Sequence, residues 1–214
     1  MSPSEVAVIL IAKAPEPGRV KTRLSPPCTP AQAAALAEAA LCDTIDAVNA
    51  ALLPGRRVLA LDGSLGPWPV EGWDVVTQRG DGLAERLAAA FDDTGGPAFL
   101  VGMDTPQLTA DLVDDAIGRL TAYAGASVLG GAEDGGWWGL GLPAPDPEVF
   151  VGVPMSRDDT GARQRSRLME RGYRVVDLPA LRDVDTWADA ARVAALAPRT
   201  RFAARVADVE RVLA

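Results

Sequence analysis

The chain contains no histidine. Ser-His-Asp hydrolysis, His-ligated zinc and imidazole base catalysis are therefore excluded. Any chemistry must rest on carboxylates, cations, hydroxyls, backbone amides or a metal held by oxygen. Cysteine is scarce as well. Cys28 and Cys42 are the only two in 214 residues, too few for a disulfide framework, so a reducing cytoplasm is the expected compartment. Long apolar runs are missing. The first, Val6–Ala12, has no charged n-region before it and falls far short of a membrane span, so a soluble, unexported protein with no membrane partner is expected. Positive charge is in deficit, with 21 Lys and Arg against 29 Asp and Glu and a net charge of −8. That balance argues against a nucleic-acid partner, which would require a broad basic surface.

What is present describes a globular enzyme-sized chain. A hydrophobic content of 48% is ordinary, and the length suits one domain over residues 1–214. Apolar runs with β-branched residues at 6–12, 57–61, 74–77, 98–103, 126–130 and 173–178 read as strands, with a further strand at 137–142. Helical segments alternate with them at 30–53, 83–91, 109–122, 158–171, 186–193 and 202–213. Thr29-Pro30-Ala31-Gln32 is a capping-box start with Pro at the first helical position, and Thr109 and Thr186 read as further caps. This alternation implies an α/β fold with a mainly parallel sheet. The Gly/Pro-rich stretch at 141–147 reads as a loop within that domain.

Four cations crowd the stretch AKAPEPGRVKTRL: Lys13, Arg19, Lys21 and Arg23. The stretch leaves the carboxyl end of the first strand, where open α/β sheets bind ligands. Pro15, Pro17 and Gly18 make it turn-rich, and turn amides with Lys and Arg can hold phosphate. A solvated basic turn is the plainer alternative. The loop is neither a Walker loop nor a Gly-x-Gly-x-x-Gly fingerprint.

Carboxylates gather at the same rim. Asp104 ends the strand AFLVGM, and Asp183 and Asp185 precede the helix capped by Thr186. Each alone reads equally as a turn or capping residue. Together with the basic loop they suit a Mg²⁺ or Mn²⁺ ion, since Mg²⁺ is commonly bound by one or two carboxylates plus substrate oxygens. Gln78-Arg79-Gly80-Asp81-Gly82-Leu83 joins a strand to a helix, and its glycines permit the close approach a nucleoside needs. Glu133-Asp134-Gly135-Gly136-Trp137-Trp138 offers Asp134 and Trp137 to an acceptor, with Trp138 expected in the core.

These motifs resemble the GT-A superfamily, in particular a small bacterial "glycosyltransferase A" family, some of whose members are associated with radical-SAM, arsenosugar or selenium gene neighbourhoods. AKAPEPGRVKTRL, QRGDGLAERL, VGMDTPQL, AEDGGWWGLGL and DVDT match in order over residues 12 to 186. The 2-phospholactate and molybdenum-cofactor guanylyltransferases are similar in arrangement. The resemblance implies a three-layer nucleotide-binding domain with Mg²⁺ held by Asp104 and Asp185, and Asp183 beside them. Nucleotide phosphates would lie against Lys13, Arg19, Lys21 and Arg23, with Ala12, Gly18, Gln78, Gly80, Gly82, Leu83 and Asp104 completing that site. Asp134, Gly135, Gly136 and Trp137 would face the acceptor. Lys13, Arg19, Lys21, Asp104 and Asp185 become the candidate catalytic set.

Many metal-dependent glycosyltransferases have Asp-x-Asp where this chain has Asp104-Thr105-Pro106. The expected function is therefore nucleotidyl transfer from an NTP to a phosphorylated small molecule. Glycosyl transfer from a nucleotide-sugar is the alternative, and a nucleotide-binding module without turnover the third.

Overall fold

The computed structural model describes residues 1–2 and 5–213. Seven strands form one sheet, β1 (Ala7–Lys13), β2 (Arg56–Asp62), β3 (Asp74–Thr77), β4 (Ala98–Gly102), β5 (Ala126–Ala132), β6 (Trp137–Leu142) and β7 (Arg174–Leu181). Their order across the sheet is β3-β2-β1-β4-β6-β5-β7. All neighbours run parallel except β6, which is antiparallel to both β4 and β5. The helices are α1 (Pro30–Ala50), α2 (Leu83–Thr94), α3 (Ala110–Ala122), α4 (Thr160–Glu170), α5 (Trp187–Leu196) and α6 (Arg201–Leu213). The fold is α/β with a mixed, mostly parallel sheet between helical layers, as the alternation of elements implies.

β1 shows why the sheet needs two helical covers. Val8, Leu10 and Ala12 pack with Leu41 and Ile45 of α1 and Ile117 and Leu120 of α3. Ala7 and Ile9, from the opposite face, pack with Leu87 and Phe91 of α2 and Leu168 of α4. Successive side chains of a strand point to opposite faces, so a near-continuous apolar run is what a doubly covered strand requires. A third cluster lies outside these layers. Leu24, Cys28, Leu36 and Val184 pack there with Phe202 and Val206 of α6.

Helix starts follow the expected chemistry. Thr29 and Gln32 form the reciprocal capping box, and Thr186 and Asp189 form another at α5. Several expected boundaries move, with α2 running on to Thr94 and β7 to Leu181. α1 stops at Ala50, short of 53, and α4 begins at Thr160 because Asp158 and Asp159 belong to the preceding loop. Inside the basic loop, Thr22–Leu24 forms a short 3₁₀ turn. Among the described residues, no helix is long and apolar enough to cross a membrane.

The β5–β6 hairpin carries one wall of the site and is braced by Trp138. This ring is 2% exposed and meets Phe99 edge-on at 6.0 Å, while its Nε1 donates to the Pro179 carbonyl at 3.0 Å. Gly130 leaves the ring its space: a Cβ there would stand 2.3 Å from Cε2 of Trp138. Overpacking of this kind costs about 1–3 kcal/mol. Gly130→Ala should therefore lower Tm by several degrees, at about 2–4 °C per kcal/mol for a chain of this size. An unchanged melting curve would mean the Trp138 ring is free to shift.

Candidate active site

The carboxyl ends of β1, β2 and β4 converge on one rim, because these strands run parallel in adjacent positions. β1 delivers Ala12 and Lys13 there, β2 ends in Asp62, and Asp104 follows β4. The segment after β7 joins them through the backbone. The Val184 N–H donates to the Asp104 carbonyl at 3.0 Å, while the Val184 side chain is fully buried in the third cluster. Anchoring Val184 this way holds Asp183 and Asp185, on either side of it, against the end of β4.

Two members of the basic loop reach these acids. Lys21 Nζ lies 2.7 Å from Asp104 Oδ1 and 4.0 Å from Asp185 Oδ1, and also donates to the Val184 carbonyl. Arg23 Nη1 pairs with Asp185 Oδ2 at 3.1 Å. Arg19 instead pairs with Glu16 at 2.7 Å, and the hydrogen bond to that carboxylate raises the pKa of its guanidinium. All four loop cations, with Asp104 and Asp185, line a hollow of about 280 Å³. Gly18 makes an exposed turn at φ +78° and lines no part of it.

Lys13, Arg23, Asp104 and Asp185 also border a larger cleft of about 750 Å³. Ala12, Gln78 and Leu83 lie at one side of it, and Asp134, Gly136 and Trp137 at the other. Gln78 serves the framework directly, its Nε2 donating to the carbonyls of Ala12 at 2.7 Å and Ala60 at 2.9 Å. Gly80 and Gly82 shape the turn into α2 without lining the cleft, Gly82 being its N-cap. Trp138 is in the core, as expected.

The cleft has walls that the motifs did not announce. Arg86 of α2 borders it, ion-paired with Asp62 at 3.0 Å. It sits one turn after Leu83, so helical spacing places both on one face. Met155, Ser156, Arg157, Asp158 and Thr160 supply another stretch. Their approach depends on Gly135, which has φ +90° and whose Cβ would stand 1.8 Å from the Asp158 carbonyl oxygen. The Gly161 N–H donates to the Gly135 carbonyl at 2.8 Å and closes this fit. Gly135 thus supports this wall of the cleft from behind.

Asp183 is the uncomfortable member of the site. Its Oδ1 is sealed from solvent and has no hydrogen-bond partner among the described residues. Burial, with Asp104, Asp134 and Asp185 adding repulsion against the pull of Lys21, pushes its pKa up to about 7. Among the described residues, no three of His, Cys, Asp and Glu form a ready metal cage. The donor set nevertheless fits a hard divalent ion that takes most of its oxygens from substrate and water. Asp104 and Asp185 already converge on one cation, Lys21 Nζ, and the unpartnered Asp183 oxygen belongs to the same acidic group.

The chain belongs to the DUF2064 family. That family's model, described as an uncharacterized protein conserved in bacteria, matches residues 35–157. A search of curated proteins gives no match. Among solved structures, the chain is similar to a protein of Desulfovibrio desulfuricans G20 provisionally described as a nucleotide-diphospho-sugar transferase. The two share 26% identity with a TM-score of 0.83, over 99% of this chain and 96% of the other. CMP:2-keto-3-deoxy-manno-octonic acid synthetase, solved with CTP, shares the fold at 14% identity and a TM-score of 0.57, over 91% of this chain and 99% of its own. A nucleotidyl transferase from Methanothermobacter does so at 18% identity and a TM-score of 0.54, over 91% and 98%. The chain therefore has the architecture of the nucleotide-using transferases.

The position of Asp183 sets a pH dependence. Its carboxyl is held neutral more readily in the fold than in the unfolded chain, so its stabilising contribution is complete below about pH 4. It is lost as pH rises through 7. From 3.8 to about 7, at about 1.4 kcal/mol per pKa unit, that amounts to roughly 4 kcal/mol. In chelator-containing buffer, Asp183→Asn should gain stability relative to the parent chain between pH 4 and 7 and hold that gain above it. A difference in urea midpoint that does not vary with pH would contradict the assignment.

Proposed function

We propose that this protein is a metal-dependent transferase whose donor is a nucleotide-diphospho-sugar, and that the acceptor presents a hydroxyl group. The observation that carries this reading is the state of the loop cations. Arg19, Lys21 and Arg23 are already paired with Glu16, Asp104 and Asp185, so the hollow offers far less free positive charge than four cations suggest. A diphosphate suits that balance better than a triphosphate joined by a phosphorylated acceptor. The acceptor side agrees. Asp134, Asp158 and Asp183 lie there with Trp137 and, among the described residues lining the cleft on this side, one cation, Arg157. Carboxylates accept hydrogen bonds from hydroxyls and an indole packs on the apolar face of a sugar ring, whereas a phosphate would meet repulsion.

In this arrangement Lys13 binds the donor phosphates, and Leu83 with the Gln78-pinned ends of β1 and β2 seats the nucleoside. Trp137 and Asp134 orient the acceptor. Asp104 and Asp185 would hold the divalent ion, which supplies charge neutralisation at the departing diphosphate. Positioning and electrostatics then do the work that a histidine base does elsewhere.

Nucleotidyl transfer from an NTP to a phosphorylated acceptor is the second reading. It is favoured by Asp104-Thr105-Pro106, which lacks the second acid of Asp-x-Asp, and by Asp185 arriving from the far end of the chain. The guanylyltransferase resemblance points the same way.

Incubation with a panel of nucleotide-sugars and with each NTP, in Mg²⁺ or Mn²⁺, separates the two. Nucleoside diphosphate should be released from one of the sugars. Pyrophosphate from an NTP, with no diphosphate from any sugar donor, would replace the first reading with the second. Asp104→Asn and Asp185→Asn should each lower turnover at least a hundredfold, about 2.7 kcal/mol of barrier, with little change in Tm. Either variant retaining a tenth of the parental rate would remove that residue from the metal site.

A further inference from the structure

Lys21 does not behave as a cation held ready for a ligand. Its side chain is 9% exposed, against 54% for Arg19 and 73% for Arg23. It lines the small hollow but not the large cleft. Its ammonium is spent on protein groups: Asp104 Oδ1 at 2.7 Å, the Val184 carbonyl, and Asp185 Oδ1 at 4.0 Å. The backbone at Lys21 is left-handed, φ 49° and ψ 36°, a conformation that residues other than glycine seldom adopt. The loop therefore bends out of its usual range where it delivers this amine between two carboxylates.

We propose that Lys21 is a resident counter-ion that occupies the carboxylate site until a divalent ion displaces it, and that an entering nucleotide eases this exchange. The inference rests on the reading above that Asp104 and Asp185 hold a divalent ion. An ammonium and a divalent ion about 4 Å apart repel strongly, so the two cannot share these oxygens. A metal entering alone must displace Lys21 into a hollow already holding Lys13, Arg19 and Arg23. A metal entering with a diphosphate gives Lys21 a new anion in that same hollow. Metal and nucleotide then bind cooperatively, because each removes an obstacle to the other. The empty site is also kept neutralised, which matters where Asp104, Asp134, Asp183 and Asp185 crowd together.

The test uses the full chain and Mn²⁺ as the probe, titrated by electron paramagnetic resonance of free Mn²⁺. Binding is measured with and without an equimolar mixture of the four ribonucleoside diphosphates. The parent chain should bind Mn²⁺ alone weakly, and at least tenfold more tightly with the diphosphates. Lys21→Met should bind Mn²⁺ alone at least tenfold more tightly than the parent and gain less from the nucleotides. The chain has only two lysines, Lys13 and Lys21, so amine labelling of the parent provides a second reading that needs no variant. Lys21 should be acetylated slowly relative to Lys13 without metal, and faster once Mn²⁺ alone is saturating. Equal Mn²⁺ affinity in parent and variant, or Lys21 labelling that ignores Mn²⁺, overturns the counter-ion role and leaves the metal reading standing. Should the variant fail to fold, the labelling decides. No Mn²⁺ uptake by the parent even with diphosphates overturns both.

Discussion

The hydrogen bond from the Val184 N–H to the Asp104 carbonyl joins the end of β4 to a segment eighty residues further along the chain, and the site is organised around it. Without it, Asp183 and Asp185 would lie on a loop of their own, and Lys21 would have one carboxylate to meet where it now has two. The bond is held from behind by hydrophobic packing. Val184 is fully buried with Leu24, Cys28, Phe202 and Val206. The C-terminal helices α5 and α6, which lie outside the three main layers, thereby brace the candidate site at a distance. They fix the residue between the two acids and, through Leu24, the far end of the basic loop as well.

Crowding carboxylates in this way is costly, and the molecule offsets it unevenly. Asp104 and Asp185 each have an ion-paired cation, but the sealed oxygen of Asp183 has no hydrogen-bond partner among the described residues. Burying a polar group without a partner costs stability, and here that cost falls at a carboxyl bordering the larger cleft. The opposite wall follows a different rule. There, the fit of Gly135 against the Asp158 carbonyl brings the loop before α4 up to Trp137, so shape rather than charge closes the cleft.

Much of this was legible in the amino-acid order. Apolar runs with β-branched residues marked the strands, because a strand covered on both faces must be apolar throughout. Capping chemistry located the starts of α1, α3 and α5, because the side chains that satisfy a helix's first amides lie within three residues of them. The rim position of Lys13 and Asp104 followed too, as the first ends a strand and the second lies just beyond the end of its parallel neighbour. What depends on contacts distant in sequence was not legible. Helical spacing could place Arg86 beside Leu83, but its pairing with Asp62 needs β2 and α2 to meet. The approach of Arg157 and Asp158 needs the Gly135 turn. The order of cations in AKAPEPGRVKTRL carried no sign that Arg19 would turn to Glu16 while Lys21 turned inward to Asp104. Charge and local propensity are written residue by residue, so the sequence alone determined the fold class and the kind of chemistry available. Which cation neutralises which acid depends on strands and helices far apart in the chain packing together, and only the tertiary structure decided it.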